Sequence, residues 1–449
     1  MVVLLPEGVM TLLEHPEAQA LLDDTRLTTA AVRSCADHLE AFVAHYLPCF
    51  YREEQRQHAR TLLRGKLTGL ERKTTEPIAA QAGAKRRPLQ LFVGAGGWDD
   101  AAVLGELRQH VREELADPDA VFILDPSGFP KKGTASCGVA RQWCGRLGKV
   151  DNCQVGVFLA YAAPRGQTLL EGRLYLPQDW AADPVRRRQT HVPADVTFQE
   201  RWRIGLDLLD RARAELPGRW VVADDELGRC TELRAALRQR RLSYVLDVPG
   251  NTLVRDLGER RPPTRPGGKP RLPAFERVQQ WLARQPKGRW RKVTVRDAEK
   301  GPLQVKVLLA TVQTKDEDGC VGARERLAVL RSCEAKPQTW YTLSNAHTAR
   351  RRTLAQVHGM RHGIEELFAQ GNGEIGLDHY EVRSWVGWHH HMTLSLLALW
   401  FLQCERLRLG GKNPGGDGSA GAGDLHGTAA AAATQCEGHR RGSQPGAAA

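Results

Sequence analysis

The order of apolar runs between residues 121 and 248 constrains the fold more than any other feature of this chain. Val121–Leu124, Gln154–Tyr161 and Leu169–Leu176 are apolar and of strand length, and Ala163-Pro-Arg-Gly166 between the last two has the composition of a hairpin turn. A stretch with helical spacing, Phe198–Leu216, stops at Pro217-Gly218. The apolar run Trp220–Ala223, the charged helical stretch Thr231–Arg240 and the run Leu242–Val248 follow. Three strands in a meander, then helix, strand, helix and strand, predict an α/β fold with a mixed sheet flanked by helices.

Two of those runs close on an acid. Asp125 follows Phe122-Ile-Leu124, and Asp224 follows Trp220-Val-Val-Ala223. Open α/β sheets present functional side chains at such places. A third acid, Glu365 in Arg361-His-Gly-Ile-Glu-Glu366, lies on a later helical stretch. Converging carboxylates hold hard divalent cations, and two such ions about 3.5–4 Å apart serve phosphoryl transfer. His358, Arg361, Glu365 and Asn372 fall at steps of three, four and seven, which place them on one helix face, with the helix ending near Gly371. Each acid alone has a plainer reading. Asp125 starts a turn, Asp224-Asp225-Glu226 caps a helix, and Glu365 is a solvated helix residue. Lys131, Lys132 and Arg141, with Arg146 and Lys149, follow the first acid in a Gly-studded segment that reads as a phosphate-gripping loop or as a basic hairpin. His389-His-His391 cannot share a helix face, which favours packing or a phosphate contact over a metal site.

The chain has 449 residues, a formal charge of +12 and a pI near 9.4. The charges of residues 411–449 cancel, so the basic excess lies in residues 1–410 and points to a polyanionic partner, most simply nucleic acid. Ten cysteines without a C-x-x-C pair fit neither a zinc ribbon nor a disulfide framework, and suit a reduced, cytosolic setting. The N-terminus lacks the basic region of a signal peptide. The longest apolar stretch, Met392–Leu402, is too short to span a bilayer and reads as a buried helix.

Five segments follow. Residues 1–95 form a helical region with a basic face for DNA. Residues 96–250 are the first part of the core, and residues 251–345 a β-rich insertion. Residues 346–409 are the final core helices, and residues 410–449 a Gly/Ala-rich disordered tail. The Arg/Pro/Gly-rich stretch 255–274 reads as an exposed loop. Trp281, Trp290 and Trp340 of the insertion read as core residues rather than base-stackers.

Asp125-Pro-Ser-Gly-Phe-Pro-Lys-Lys-Gly133, Gly138-Val-Ala-Arg-Gln-Trp-Cys-Gly145, Trp220-Val-Val-Ala-Asp-Asp-Glu226, Trp340-Tyr-Thr-Leu-Ser-Asn345 and Gly376-Leu-Asp-His-Tyr-Glu-Val-Arg-Ser-Trp385 resemble the bacterial DDE transposases of the insertion sequence 701 family, over about residues 40 to 409. The resemblance implies an RNase H-like core with a β-rich insertion before the last catalytic helix. It implies Asp125, Asp224 and Glu365 as catalytic and metal-binding residues, and two Mg²⁺ ions that Mn²⁺ can replace. Lys131, Lys132, Arg141, Arg361, His358 and Asn372 would contact DNA. The partners implied are transposon ends and target DNA, with a homodimer in the complex and no membrane, in the bacterial cytoplasm at the nucleoid. Two positions depart from the family's Tyr-x₂-Arg-x₃-Glu-x₆-Lys signature: His358 stands for the Tyr and Asn372 for the Lys. They leave open the alternative of a degenerate copy that binds DNA without cleaving it.

Overall fold

The computed structural model describes residues 29–260, 271–296, 302–316 and 318–409. The expected tail at 410–449, half of the expected loop at 255–274 (residues 261–270) and the first 28 residues lie outside the described residues.

Five helices come first: α1 (Thr29–Tyr46), α2 (Glu53–Lys66), α3 (Thr75–Gln81), α4 (Arg86–Ala95) and α5 (Asp100–Leu115). In α2, Ala59, Leu62 and Leu63 line one buried face, while Glu53 and Glu54 occupy the first turn, where the helix dipole favours negative charge. These helices do not fold around a core of their own. Leu39, Phe42, Leu62 and Phe92 belong to the same buried cluster as Phe122 and Phe158 of the sheet.

The sheet begins with β1 (Val121–Pro130), β2 (Ala140–Cys144), β3 (Lys149–Ala163) and β4 (Gly166–Leu174). After α6 (Gln178–Ala182), α7 (Pro184–Gln189) and α8 (Arg201–Glu215) come β5 (Trp220–Ala223), α9 (Asp225–Gly228), α10 (Thr231–Gln239) and β6 (Ser243–Asp247). β3 runs antiparallel to β1 and to β4, whereas β5 is parallel to β1 and β6 parallel to β5. The spatial order β4-β3-β1-β5-β6 with these directions is the RNase H-like arrangement that the element order predicts.

The insertion contributes β7 (Leu253–Asp256), β8 (Glu276–Arg277), α11 (Val278–Ala283), β9 (Arg291–Arg296), β10 (Leu303–Lys315), β11 (Val321–Ser332) and β12 (Thr339–Ser344). It does not form a separate sheet. β12 pairs antiparallel with β6, at Thr342↔Asp247 and Leu343↔Leu246, so the twelve strands of the described residues make one sheet. β2, β7, β8 and β12 are short strands that the apolar pattern alone does not single out. Along β11 the side chains alternate between two cores, as the twofold period of a strand requires. Ala328 and Leu330 face the main core, whereas Leu327 and Val329 face a second one built around Trp281. Trp290 and Trp340 are half-buried at the margins of these cores.

The chain closes with α12 (Arg351–Met360), α13 (His362–Gln370), a π turn (Gly371–Ile375) and α14 (Trp385–Arg408). α14 is buried on nearly every side, between β4 and the N-terminal helices. Its His390 and His391 sit against the backbone carbonyls of Val93, Trp98 and Leu377, so they are packing residues. Among the described residues no helix is long and apolar enough to cross a membrane.

Candidate active site

Three acids occupy one row of the sheet. Leu124 pairs with Ala223, and Ala223 with Leu246, so Asp125, Asp224 and Asp247 are the next positions along three neighbouring parallel strands. Parallel neighbours in register share a face and lie about 4.8 Å apart between strands. β1 does not stop at Asp125. It continues to Pro130 paired only with β3, and the loss of its β5 neighbour after Leu124 is what opens the edge.

Asp224 caps α9: its Oδ1 accepts from the Leu227 amide at 3.1 Å. The cap and the row position are compatible, because a cap uses one carboxylate oxygen. Gly228 at the end of α9 is required here, since a Cβ at that position would lie 1.9 Å from the Asp247 carbonyl oxygen. The bare backbone lets the turn after Asp224 press against the end of β6.

Glu365 and Arg361 come from the other side. Arg361 joins α12 to α13, with Nε 3.3 Å from Asp247 Oδ2 and an Nη 3.5 Å from Glu365 Oε1. His358 Nε2 lies 3.1 Å from Asp247 Oδ1. The Glu365 carboxylate also meets His362 Nδ1 at 3.0 Å.

The electrostatics follow from this crowding. Burial, then the neighbouring Asp224, lift the Asp125 carboxyl well above the ordinary carboxylate range; Glu365 and Glu226 add to the effect and Arg361 opposes it. Burial lifts Asp224 to about 6 against the Leu227 amide bond. Glu365 moves the other way, lowered by its His362 hydrogen bond and by Arg361. Burial opposes the charge of Arg361, yet Asp247, Glu365, Asp125 and Asp224 together raise its pKa. One guanidinium therefore serves four carboxylates.

A divalent cation is tested here by the donor set. The Asp125 carboxylate makes no hydrogen bond or ion pair among the described residues, and it faces Asp224 in register, so this pair suits a hard cation. Glu365 is turned to His362 and Arg361. Among the described residues no group of three or more His, Cys, Asp or Glu side chains stands ready to hold a metal ion.

The other expected contacts are dispersed. His358 is nearly buried and directed at Asp247 rather than outward, because the row of acids attracts its ring. Asn372 lies past α13 in the π turn, and its buried Oδ1 meets no donor. The change of helical period there separates it from the chain of contacts joining His358, Arg361 and Glu365. Lys131 lies about 20 Å along β1 from Asp125 at the usual strand rise. Its Nζ donates to the Tyr380 carbonyl at 3.1 Å and sits 3.3 Å from the Tyr380 ring centroid. Lys132 and Arg141 are exposed on the β1–β2 extension, Arg146 pairs with Asp378, and Lys149 with Asp151. Asp247 is the residue that sequence reasoning misses. Its signal is the one that marks Asp125, an acid in an apolar run, but Val248 carries the run past it.

The strand order and directions of the core sheet define an RNase H-like fold. The profile of the DDE superfamily endonucleases matches residues 45–302, more than half of the chain, and the chain belongs to that family. It is similar to the "Probable transposase for insertion sequence element IS701" of Microchaete diplosiphon, 22% identical over 346 residues that cover 76% of this chain and 79% of the relative. The kinship with the insertion sequence 701 transposases expected from the motifs therefore holds. A solved structure, the piggyBac transposase synaptic complex with hairpin DNA, aligns at a TM-score of 0.35 and 10% identity over 88% of this chain and 73% of that one; at that score the likeness bears no weight.

Proposed function

We propose that the chain cuts and joins insertion-sequence ends, with Asp125, Asp224 and Glu365 as its catalytic carboxylates. The observation that carries this reading is the Asp125–Asp224 pair: two half-buried carboxylates at the positions that follow the paired residues Leu124 and Ala223 of neighbouring parallel strands, both with raised pKa. Bound divalent cations, Mg²⁺ or Mn²⁺, would polarise the scissile phosphate and make water or a 3′-hydroxyl a competent nucleophile near neutral pH. Asp125 and Asp224 would hold the first ion. Glu365 would complete the second site on leaving His362, and Arg361 would keep it close meanwhile. Exposed Lys132 and Arg141 would grip the DNA backbone, adding affinity but no sequence preference. The reaction would run on transposon ends and target DNA, with two copies in the complex, in the bacterial cytoplasm.

A second reading, a copy that binds DNA without cleaving it, draws on Glu365 being occupied by His362 and on Asn372 standing where the family signature has Lys. Incubating the full chain with DNA carrying the inverted repeats that flank its gene, with and without Mg²⁺, separates the two. Cutting predicts Mg²⁺-dependent nicks that Asp125→Asn and Glu365→Gln reduce by about three orders of magnitude, on the scale of losing a group that stabilises transition-state charge. Undiminished nicking by Asp125→Asn would sink the assignment. Binding without any Mg²⁺- or Mn²⁺-dependent product would select the second reading.

A further inference from the structure

A cavity of about 220 Å³ lies between α2, α3, α4, α14 and the segment 379–382, and its chemistry is opposite to that of the acid row. Lys66, Lys73, Thr74, Thr75, Arg87 and Gln90 line it. Lys66 is 2% exposed, and its Nζ has no hydrogen-bond partner. Isolated buried ammonium groups are costly, and the buried arginines of the described residues are paired with acids: Arg108 with Glu171 and Glu215, Arg234 with Glu325. Among the described residues Lys66 has no acid partner. Burial, then the neighbouring Lys73, bring its pKa down to about 7.

The surroundings are electropositive as well. Lys73 is buried, with its Nζ donating to the Lys66 carbonyl at 2.9 Å and to that of Thr68. Among the described residues Glu381 is the one acid that lines the cavity, where it pairs with Arg72 at 3.1 Å, and Glu374 lies near enough to Lys73 to support its charge against burial. His391 is held neutral by burial and by Lys66, its Nε2 3.0 Å from the Leu377 carbonyl oxygen. Drug-sized ligands occupy cavities of about 300–1,000 Å³, so this volume suits a group of a few heavy atoms.

We propose that this cavity binds a single phosphate group, with the Lys66 ammonium as its central ligand and Arg87 and the Thr74 and Thr75 hydroxyls around it. The phosphate belongs either to a DNA chain or to a free phosphate ion, and the site is independent of the cutting reaction. Lys66→Met keeps the length of the side chain and removes its charge, and Arg87→Gln alters only the exposed rim.

Isothermal titration of the full chain with inorganic phosphate, against chloride at equal ionic strength, reads the site directly. Wild type is expected to bind, Lys66→Met at least tenfold more weakly, and Arg87→Gln a few-fold more weakly, with unchanged circular dichroism. The salt dependence of duplex-DNA binding identifies the source. If a DNA phosphate enters the cavity, Lys66→Met lowers the log–log slope by about 0.9, the value of one released counterion, and inorganic phosphate competes. If free phosphate is the ligand, the slope is the same in both proteins. Equal phosphate affinity in wild type and Lys66→Met, or no phosphate binding together with an unchanged slope, overturns the proposal.

Discussion

The seam between core and insertion and the acid row one strand away treat buried charge in opposite ways. At the seam, Glu325 of β11 is 1% exposed and meets Arg234 at 3.2 Å, Arg238 at 3.5 Å and the Tyr244 hydroxyl at 2.5 Å. Arg234 also donates to the Gly228 carbonyl and to Thr314, so α9, α10 and β10 are tied together. Charge there is matched within the chain. In the row, Asp125 and Asp224 stand side by side with a single shared guanidinium nearby; burial raises both carboxyls, and neighbouring acids, Asp224 for Asp125 and Glu226 for Asp224, add to it. Asp247 lies between these extremes, 7% exposed, with Arg361 Nε 3.3 Å from its Oδ2 and His358 Nε2 3.1 Å from its Oδ1 without hydrogen-bond geometry. Paired charge fixes how the insertion docks, while the acids of the row, which share one guanidinium, would under the proposed function be matched by a bound cation.

Mutations at the three places should separate these roles. Glu325→Leu strands Arg234 without its partner and should cost about 3–5 kcal/mol of stability in urea denaturation, with no dependence on Mg²⁺. A loss under about 1 kcal/mol would mean that the seam is not held by this pair. Asp247→Asn releases one side of Arg361 while leaving the fold standing. Nicking should fall about 10–100-fold, the usual scale for a group that orients a ligand side chain, with melting temperature nearly unchanged. A parallel collapse of melting temperature would instead make Asp247 a structural residue.

The smallest effect on stability is expected at Asp224. Its folded pKa, about 6, lies above the ordinary 3.8, so the folded state holds the proton more tightly than the unfolded chain. That stability is complete below about pH 4 and is lost as pH rises through about 6. Asp224→Asn imitates the protonated acid, keeps an oxygen for the Leu227 amide, and should stabilise the metal-free protein by about 1–2 kcal/mol at neutral pH but not at pH 4. Stabilisation of wild type by Mg²⁺ should grow as pH rises through about 6, and the variant should lose most of it. Identical melting curves for wild type and Asp224→Asn from pH 4 to 8 would show that the row carries no excess charge.

Much of the core is legible in the sequence because its strands are buried on both faces and read as continuous apolar runs, as at Phe122-Ile-Leu124 and Trp220-Val-Val-Ala223. The hairpin at Ala163–Gly166 is equally plain, since turn chemistry is local. β12 is harder to read: Thr339-Trp-Tyr-Thr-Leu-Ser344 carries too few aliphatic residues to stand out, and it becomes a strand by pairing with β6 and β11. Gly363, which looks like a weak point in a helix, lets α13 approach the Gln167 side chain on β4. Asp125 and Asp224 stand out because each breaks an apolar run. The partners of Arg361 do not, because they come from residues 125, 224, 247 and 365.

The sequence alone determined the element order, the mixed α/β architecture, the basic excess and the kinship carried by its longest motifs, because backbone period and turn chemistry act over a few neighbouring residues. The tertiary structure decided that the insertion extends the core sheet instead of standing apart, and that Asp247 joins the acid row. It also decided that Lys131 turns to Tyr380 and that Lys66, the last residue of an ordinary amphipathic helix, is buried on the wall of a cavity shared with a segment more than 300 residues away. Burial and charge pairing are sums over everything that packs nearby, and most of those neighbours are distant along the chain.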